Sequence, residues 1–243
     1  MAATATGMDS SVTTTAPIIT IDGPSGAGKG TVSRRVAAQL EWHLLDSGAL
    51  YRLVAYDAQS KRISLEDVPA LVGIAAGLDV TFGADLGGEE EIWLAGREVS
   101  GGIRSEQAGD GASRVAAIPA VRAALTARQQ AFARDPGLVA DGRDMGTVIF
   151  PTATLKIFLT ASAAERARRR YNQLKDKGLG ANLAALSLEI AERDRRDANR
   201  PVAPLRPAAD AVVLDSTQLT IDEVVASVLE LAAVRLAAKR VPG

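Results

Sequence analysis

A glycine-rich stretch near the start of the chain has the composition and spacing of a phosphate-binding site. Gly23, four intervening residues and then Gly28-Lys29 follow the β-favouring run 18–21 and precede a segment with helical periodicity. Glycines let successive backbone N–H groups curve around an anion, and the N-terminus of the following helix directs a partial positive charge at the same place. Lys29 would add a full charge on the terminal phosphates of a nucleotide. The residues of this predicted phosphate loop are Gly23, Pro24, Ser25, Gly26, Ala27, Gly28, Lys29, Gly30 and Thr31.

A second polar stretch follows another apolar run. Residues 137–146 read as a buried strand that ends in a turn flanked by Gly142 and Gly146, with Arg143 and Asp144 between them. In open α/β sheets, ligands bind at the carboxyl ends of the strands. We therefore interpret Arg143 and Asp144 as site residues rather than as a surface ion pair.

Charged residues also share single faces of two expected helices near the C-terminal end. Three arginines on one face repel each other unless anions or carboxylates lie among them. The first face is therefore compatible with anion binding, and equally with a solvated ion-pair face that includes Glu165. The two sets are Arg166, Arg169 and Arg170 on the first helix, and Arg193, Asp197 and Arg200 on the second.

The elements that must position these residues alternate between short apolar strands and helices. This alternation predicts an α/β fold with about five parallel strands and helices on both faces of the sheet. The expected strands lie near 18–21, 42–45, 137–141, 155–159 and 211–214. The expected helices span 29–40, 47–60, 65–76 with Ser64 as its cap, 104–118, 119–134, a segment capped by Ser162, 183–199, and 220–238.

The pattern changes between residues 61 and 134. Residues 78–82 alternate with period two, residues 91–94 do so in part, and a turn-rich link at 83–88 joins them. We expect a small antiparallel unit within an inserted subdomain over 61–134. The core would then comprise 17–60 and 135–243, and the Ala/Thr/Ser-rich residues 1–16 would form a flexible tail.

Composition excludes several classes of function. The chain has 243 residues, of which 47% are hydrophobic, enough for one large core. It has no cysteine, so disulfides, thiolate metal sites and cysteine nucleophiles are excluded. Its single histidine, His43, lies in a mixed apolar run and reads as structural. The net charge of −1 gives no basic field for long nucleic acid, and neither a membrane span nor a signal peptide is evident. We expect a cytoplasmic protein.

Four stretches together resemble those of bacterial cytidylate kinases, a family of nucleoside-monophosphate kinases among the P-loop NTPases. The loop with its Gly-Lys-Gly-Thr form is shared by many monophosphate kinases, and the other three stretches are far more specific. The likeness covers nearly everything from Pro17 to the C-terminal helix, including an enlarged monophosphate-binding insert. The stretches are 21–31, 45–52, 140–146 and 192–200.

The resemblance implies a three-layer P-loop kinase fold with a short lid over about 170–183. It also implies transfer of the γ-phosphoryl group of ATP to CMP or dCMP, with Mg²⁺. Thr31 would be the hydroxyl near the metal, through water, because Gly30 stands where the general loop pattern has Ser or Thr. The catalytic residues implied are Lys29, Arg143, Arg166 and Arg170. The residues implied to bind CMP are Ser47, Arg52, Arg104, Ser113, Arg122, Asp141, Arg143, Asp144, Arg193, Asp197 and Arg200.

Within that set, the resemblance divides the roles. Arg52, Arg143 and Arg200, with Ser47 nearby, would hold the acceptor phosphate. Ser113, Arg122 and Asp144 would read the base, Arg193 and Asp197 would hold the sugar, and Arg104 would belong to the same pocket.

The chemistry agrees with the assignment of the base-reading carboxylate. Cytosine carries an exocyclic amino donor where uracil carries a carbonyl acceptor, so Asp144 would attract CMP and repel UMP. Phosphoryl transfer requires alignment of two phosphates and neutralisation of their charge. It requires no general base here, because the phosphate of CMP is already a nucleophile at neutral pH.

Three other functions stay open at this point. Another small-molecule P-loop kinase, acting on AMP, UMP, shikimate or a sugar acid, would share the fold and differ in the acceptor pocket. A GTPase-like switch would need an Asn-Lys-x-Asp segment, and no asparagine here is followed by lysine. A scaffold that only binds ATP would leave the acceptor-side arginines without purpose. We expect a monomer.

Overall fold

The computed structural model describes residues 16–84, 90–176, 178 and 180–239, and a parallel sheet lies at its centre. In chain order the elements are β1 (Ile18–Asp22), α1 (Lys29–Leu40), β2 (His43–Asp46), α2 (Ser47–Ser60), α3 (Val68–Ala76), β3 (Val80–Ala84), β4 (Glu90–Leu94), β5 (Arg97–Glu98), α4 (Ser100–Ile103), α5 (Glu106–Val115), α6 (Pro119–Gln130), β6 (Leu138–Gly142), a π-helical turn (Met145–Ile149), β7 (Leu155–Thr160), α7 (Ala163–Asp176), α8 (Leu183–Ala198), β8 (Val212–Asp215) and α9 (Ile221–Lys239).

The central sheet has five parallel strands in the order β2-β6-β1-β7-β8 within the described residues. β1 is buried along its whole length and pairs with β6 on one side and with β7 on the other. The three isoleucines of β1 suit burial on both faces of a parallel sheet. The predicted five-stranded parallel α/β sheet is confirmed.

Two apolar layers cover the sheet. On one face, Ile19 and Ile21 of β1 pack with Val32 of α1 and Val228 of α9. On the other face, Ile18 belongs to the same apolar cluster as residues of α2, α3, α5 and α6. Successive side chains of a strand point to opposite faces, which divides β1 between the two clusters. The result is a three-layer architecture with β1 at its centre.

The region 61–134 contains the expected antiparallel unit. β3 pairs with β4 in an antiparallel register, and the two-residue strand β5, which the sequence did not predict, adds to β4. Part of the predicted link at 83–88 lies outside the described residues. The helices α3, α4 and α5 contact α2, which itself contacts β6 of the sheet, and α6 packs on α3.

The helix expected at 65–76 begins later than predicted. α3 starts at Val68, and its N-cap is Asp67, whose carboxylate accepts a hydrogen bond from the Ala70 N–H at 3.1 Å. Ser64 instead caps a turn, accepting from the Glu66 N–H at 3.2 Å. The prediction of Ser64 as the helix cap was wrong because an Asp three residues later competes for the same role.

The helix expected at 104–118 is also interrupted. The chain forms the short helix α4, leaves it at Arg104, and begins α5 after Ser105. The Ser105 hydroxyl accepts from the Ala108 N–H at 3.1 Å, so a capping residue inside the predicted helix starts a new one.

Two further expectations touch residues that are not described. Most of the predicted tail at 1–16 lies outside the described residues, as do residues 177 and 179 of the predicted lid. In the part of the chain that is described, no helix combines the length and the apolar character that a bilayer crossing demands.

Candidate active site

The predicted phosphate loop lies at the carboxyl end of β1 and leads into α1. Gly23 has φ +150°, and a Cβ atom there would lie 1.9 Å from the carbonyl oxygen of Leu159 on the neighbouring strand. Gly28, with φ +93°, is the N-cap of α1. Only glycine adopts such conformations at little cost, so the glycine spacing is what allows the loop to fold back over the helix N-terminus.

Lys29 is the buried cation of this loop. It is 6% exposed, and its Nζ donates to the carbonyl oxygen of Pro24 at 2.8 Å. Burial, assisted by the nearby Arg143, lowers the pKa of Lys29 to about 7, although Asp141 acts in the opposite direction. A phosphate anion in contact with Nζ would favour the charged form and raise this pKa again.

A cavity of about 590 Å³ extends from the loop across the carboxyl ends of β2 and β6 to the inserted region. Every residue predicted to bind the acceptor nucleotide lines it, as do Lys29, Thr31 and Arg170. Pro24, Ala27 and Gly23 of the loop do not line it. The predicted acceptor residues that share the cavity are Ser47, Arg52, Arg104, Ser113, Arg122, Asp141, Arg143, Asp144, Arg193, Asp197 and Arg200.

One side of the cavity holds a buried ion pair. Arg122 on α6 pairs with Asp144, which follows β6, and both residues are buried. The Arg122 guanidinium also lies 5.8 Å from the ring centroid of Tyr51, within the range of a cation–π contact. Burial raises the pKa of Asp144, and Arg122 opposes this shift. The pair therefore presents a carboxylate and a guanidinium in fixed positions.

Asp197 on α8 organises a second charged cluster. It accepts from Arg143 Nε at 3.0 Å and from Arg200, and the Ser113 hydroxyl lies 3.4 Å from it. Burial alone would raise the pKa of Asp197, but Arg143 and Arg200 outweigh it and hold the pKa below its usual value. The cluster joins the turn after β6, α5 and α8 at one point.

Some of these guanidinium groups are not fully satisfied by the protein. The Nε atoms of Arg193 and Arg200 are buried and have no hydrogen-bond partner among the described residues. Burial, with Arg143 next, lowers the pKa of Arg193 to about 10, so this side chain stays charged at neutral pH. Buried charged donors without partners are costly, and such groups are characteristic of sites that receive an anionic or hydroxylated ligand.

Comparison with known proteins identifies the family of the chain. The sequence profile of the family described as cytidylate kinase matches residues 19–234.

This chain belongs to the cytidylate kinase family.

Individual relatives are similar over most of their length. The chain is 59% identical to a cytidylate kinase of Methylococcus capsulatus over 211 residues, which are 87% of this chain and 94% of the relative. It is 59% identical to a cytidylate kinase of Pseudomonas fluorescens over 221 residues, 90% of this chain and 96% of that protein. A cytidylate kinase of Chromobacterium violaceum is 58% identical over 216 residues, 89% and 95% of the two chains.

In this member of the cytidylate kinase family, Arg166 is placed behind the phosphate loop. Its Nη1 donates to the carbonyl oxygen of Ser25 at 3.0 Å, its Nε donates to that of Ala161 at 3.0 Å, and its guanidinium pairs with Asp194 at 2.5 Å. It does not line the cavity. Arg166 thus supports the loop backbone in this structure, and its catalytic role stays a prediction.

The other two arginines of that face differ from each other. Arg169 pairs with Glu165 at 2.8 Å and donates to the carbonyl oxygen of Ser216 at 2.5 Å, so it fastens α7 to the segment after β8. Arg170 lines the cavity and donates to Gln173 at 2.6 Å. Arg169 therefore belongs to an ion pair with Glu165, as one of the two interpretations of this helix face predicts, whereas Arg170 lines the cavity.

Sequence reasoning missed several residues near the cavity. Tyr51 and Arg34 line it, although neither was singled out as a site residue. Tyr51 lies one residue before Arg52 in a stretch that carried the resemblance, which is the only signal that pointed to it. His43 does not line the cavity, and its Nε2 lies 2.8 Å from the carbonyl oxygen of Asp135. Asp22, directly before the loop, was also missed.

Proposed function

We propose that this chain transfers the γ-phosphoryl group of ATP to the 5′-phosphate of CMP or dCMP, giving ADP and CDP or dCDP. One observation carries the proposal beyond family membership. Most residues of the phosphate loop and all the residues predicted to bind the acceptor line a single cavity, which supports binding of the two nucleotides next to each other. Alignment of two nucleotides in a water-poor site is the main contribution that such an enzyme makes.

The donor side is assigned to the loop and Lys29. The backbone N–H groups between Gly23 and Thr31 would bind the phosphates of ATP, and Lys29 would neutralise the charge that develops during transfer. Because Lys29 is buried, its charge acts at low effective dielectric and stabilises the transferring group more than an exposed lysine would.

The acceptor phosphate is assigned to Arg52, Arg143 and Arg200. Guanidinium groups bind phosphate oxygens in a bidentate manner, and three of them around one dianion fix its direction towards the donor. Ser47 lies beside them, with its hydroxyl donating to the carbonyl oxygen of Asp141 at 2.8 Å. Arg170 would approach from α7 and add positive charge near the transferring group.

The base is assigned to Asp144, Arg122 and Ser113, and the sugar to Arg193 and Asp197. A carboxylate accepts from the exocyclic amino group of cytosine, and Arg122 and Ser113 can donate to the ring acceptors. The unsatisfied Nε of Arg193 supports a hydroxyl or anion at that side of the pocket.

Mg²⁺ would be bound together with ATP. Among the described residues no group of three or more acidic or histidine side chains could hold a metal ion by itself. This suits Mg²⁺, which keeps several waters and is commonly bound through substrate phosphates and few protein ligands. Thr31, which lines the cavity, would contact it through water. The ion would neutralise phosphate charge.

The division into domains belongs to the same proposal. The region 61–134 would act as a monophosphate-binding unit that moves against the core of 17–60 and 135–243, and the segment 170–183 would cover the ATP side. Such closure would exclude water and prevent hydrolysis of ATP. We expect a cytoplasmic monomer.

The experiment that tests this function measures ADP release with Mg-ATP and each of CMP, dCMP, UMP and AMP. We expect CMP and dCMP to support turnover well above UMP and AMP. Equal or greater turnover with AMP or UMP would refute the acceptor assignment and leave the phosphate loop intact. Hydrolysis of ATP without dependence on any acceptor would refute the kinase activity.

A further inference from the structure

Asp22 has a role that neither the phosphate loop nor the acceptor pocket accounts for. It is the last residue of β1, it stands directly before Gly23, and only 5% of it is exposed. Its Oδ1 accepts a hydrogen bond from the Met145 N–H at 2.8 Å, and its Oδ2 accepts one from the Gly146 N–H at 2.8 Å. Both oxygens of one carboxylate thus hold two successive backbone amides of the same turn.

Those two amides belong to the residues that directly follow Arg143 and Asp144. Met145 is the first residue of the π-helical turn, and Asp144 is its N-cap. Backbone position at Met145 and Gly146 therefore determines where the preceding two side chains enter the cavity. Because π-helical turns are rare and irregular, such a turn depends on outside contacts to keep one geometry.

The turn has little room to move as a rigid piece. A Cβ atom on Gly142 would lie 2.7 Å from both Ser47 Oγ and Met145 Cγ, and one on Gly146 would lie 2.8 Å from Thr20 Oγ1. The turn is thus pressed directly against β1 and α2. The two hydrogen bonds to the Asp22 carboxylate are polar contacts that hold the turn at one position along β1.

We propose that Asp22 is a positioning residue for the acceptor nucleotide: by holding the amides of Met145 and Gly146, it sets the positions of Arg143 and Asp144 in the cavity. The proposal rests on the function proposed above. Asp22 directly precedes the loop that would bind ATP, yet its proposed effect is on the binding of CMP. This is possible because β1 and β6 are adjacent parallel strands, which brings Asp22 close to the turn after β6.

The chemistry of this contact requires a carboxylate. An asparagine of the same shape presents one acceptor and one NH₂ donor, so one of the two backbone N–H groups would face another donor. Burial raises the pKa of Asp22 to about 7, and the two N–H bonds act against that shift. A buried carboxylate is expensive to keep without such partners, which makes a purely space-filling role for Asp22 a poor explanation.

The test compares Asp22→Asn with Thr20→Val as a matched control in the same strand. Thr20 is buried, and its hydroxyl has no hydrogen-bond partner in the described residues, so valine removes nothing that is bonded. For Asp22→Asn we expect KM for CMP to rise about tenfold or more and preference for CMP over UMP to fall, with KM for ATP within about twofold. Thr20→Val should keep all three values.

Two results would overturn the proposal when the wild-type protein does phosphorylate CMP. One is an unchanged KM for CMP and an unchanged CMP preference in Asp22→Asn. The other is an equal rise in KM for ATP and for CMP, which would place the effect of Asp22 on the loop or on the whole fold. A wild-type protein without CMP kinase activity would instead refute the proposed function, so the two failures are distinguishable.

Should Asp22→Asn not fold, amide hydrogen exchange of the wild-type protein provides the test. If a well-ordered π-helical turn strengthens CMP binding, then bound CMP must stabilise the ordered turn to the same extent. We expect saturating CMP to slow exchange at Met145 and Gly146 about tenfold, and Mg-ATP alone to change it by less than about twofold. Equal slowing by both nucleotides, or none by CMP, would overturn the proposal.

Discussion

Replacing Asp144 by asparagine tests its contribution to base recognition and to stability together. The substitution keeps the shape of the side chain and removes its charge. Asp144 is 3% exposed and its partner Arg122 is 5% exposed, so the guanidinium would lose its counter-ion in a buried place. Loss of one member of a buried pair costs about 3–5 kcal/mol. Asparagine still offers an oxygen to Arg122, so we expect a smaller loss of about 1.5–3 kcal/mol, the value of a hydrogen bond to a charged group.

That loss converts into a measurable change of melting temperature. In a protein of about this size, 1 kcal/mol corresponds to roughly 2–4 °C, so the Tm of Asp144→Asn should fall by about 3–12 °C. The effect on recognition should be as clear. An asparagine amide can turn to accept from cytosine or to donate to uracil, so the ratio of kcat/KM for CMP to that for UMP should fall by about 10- to 100-fold.

The assay combines ADP release with CMP or UMP and thermal unfolding of each variant. Arg122→Gln and the double variant complete a cycle that isolates the coupling between the two side chains. A fall in Tm without any change in the CMP to UMP ratio would show that the pair only supports the fold. It would refute the assignment of Asp144 to the base.

Three further predictions concern the loop and its surroundings. Lys29→Met should lower kcat by about a thousandfold, because it removes the charge that would stabilise the transferring phosphoryl group. Tm should not fall, because the lost group is a buried amine whose pKa burial depresses to about 7; a kcat within tenfold of the wild-type value would contradict the assigned role. Gly23→Ala should destabilise the protein severely in urea unfolding, because the added Cβ would overlap the Leu159 carbonyl oxygen. The control Gly30→Ala, whose Cβ would lie 3.5 Å from the nearest atom, should unfold like the wild type, and equal stability of the two variants would refute the packing argument. Folding raises the pKa of Asp22 to about 7, so between about pH 4 and pH 7 the folded protein binds more protons than the unfolded chain. The free energy of unfolding of the wild type, relative to that of Asp22→Asn, should therefore fall as the pH rises from about 4 to about 7. A difference between the two proteins that does not depend on pH would contradict this prediction.

Features that depend on neighbouring residues could be predicted from the sequence, whereas contacts between residues far apart in the sequence could not. The phosphate loop could be predicted because Gly23, Gly28 and Lys29 carry their own conformational and chemical requirements within a few residues. The contact of Asp22 with Met145 could not, since it joins residues more than a hundred positions apart that only the pairing of β1 with β6 brings together.

The helix predictions that were wrong or incomplete also depended on contacts that neighbouring residues in the sequence do not determine. Ser64 and Asp67 are both good caps, and nothing nearby decides between them; the folded chain uses Asp67 for α3. Arg166 and Arg170 lie on one predicted helix face, yet Arg166 turns to the loop backbone and Arg170 to the cavity. Periodicity predicts which side chains share a face, and the partners on neighbouring elements determine which of them reach the site.

The strand order has a consequence for how the chain acquires its fold during synthesis. Ile18 of β1 pairs with Leu138 of β6, and Ile19 pairs with Leu155 of β7, so the strand that bears the phosphate loop has no partner until most of the chain has been made. The pairing of β3 with β4, in contrast, joins residues close together in the sequence. Contacts between distant residues form slowly, and unpaired apolar strands are prone to aggregation. The inserted region should therefore become ordered first on the ribosome, and β1 should be the segment that most needs protection until β6 and β7 emerge.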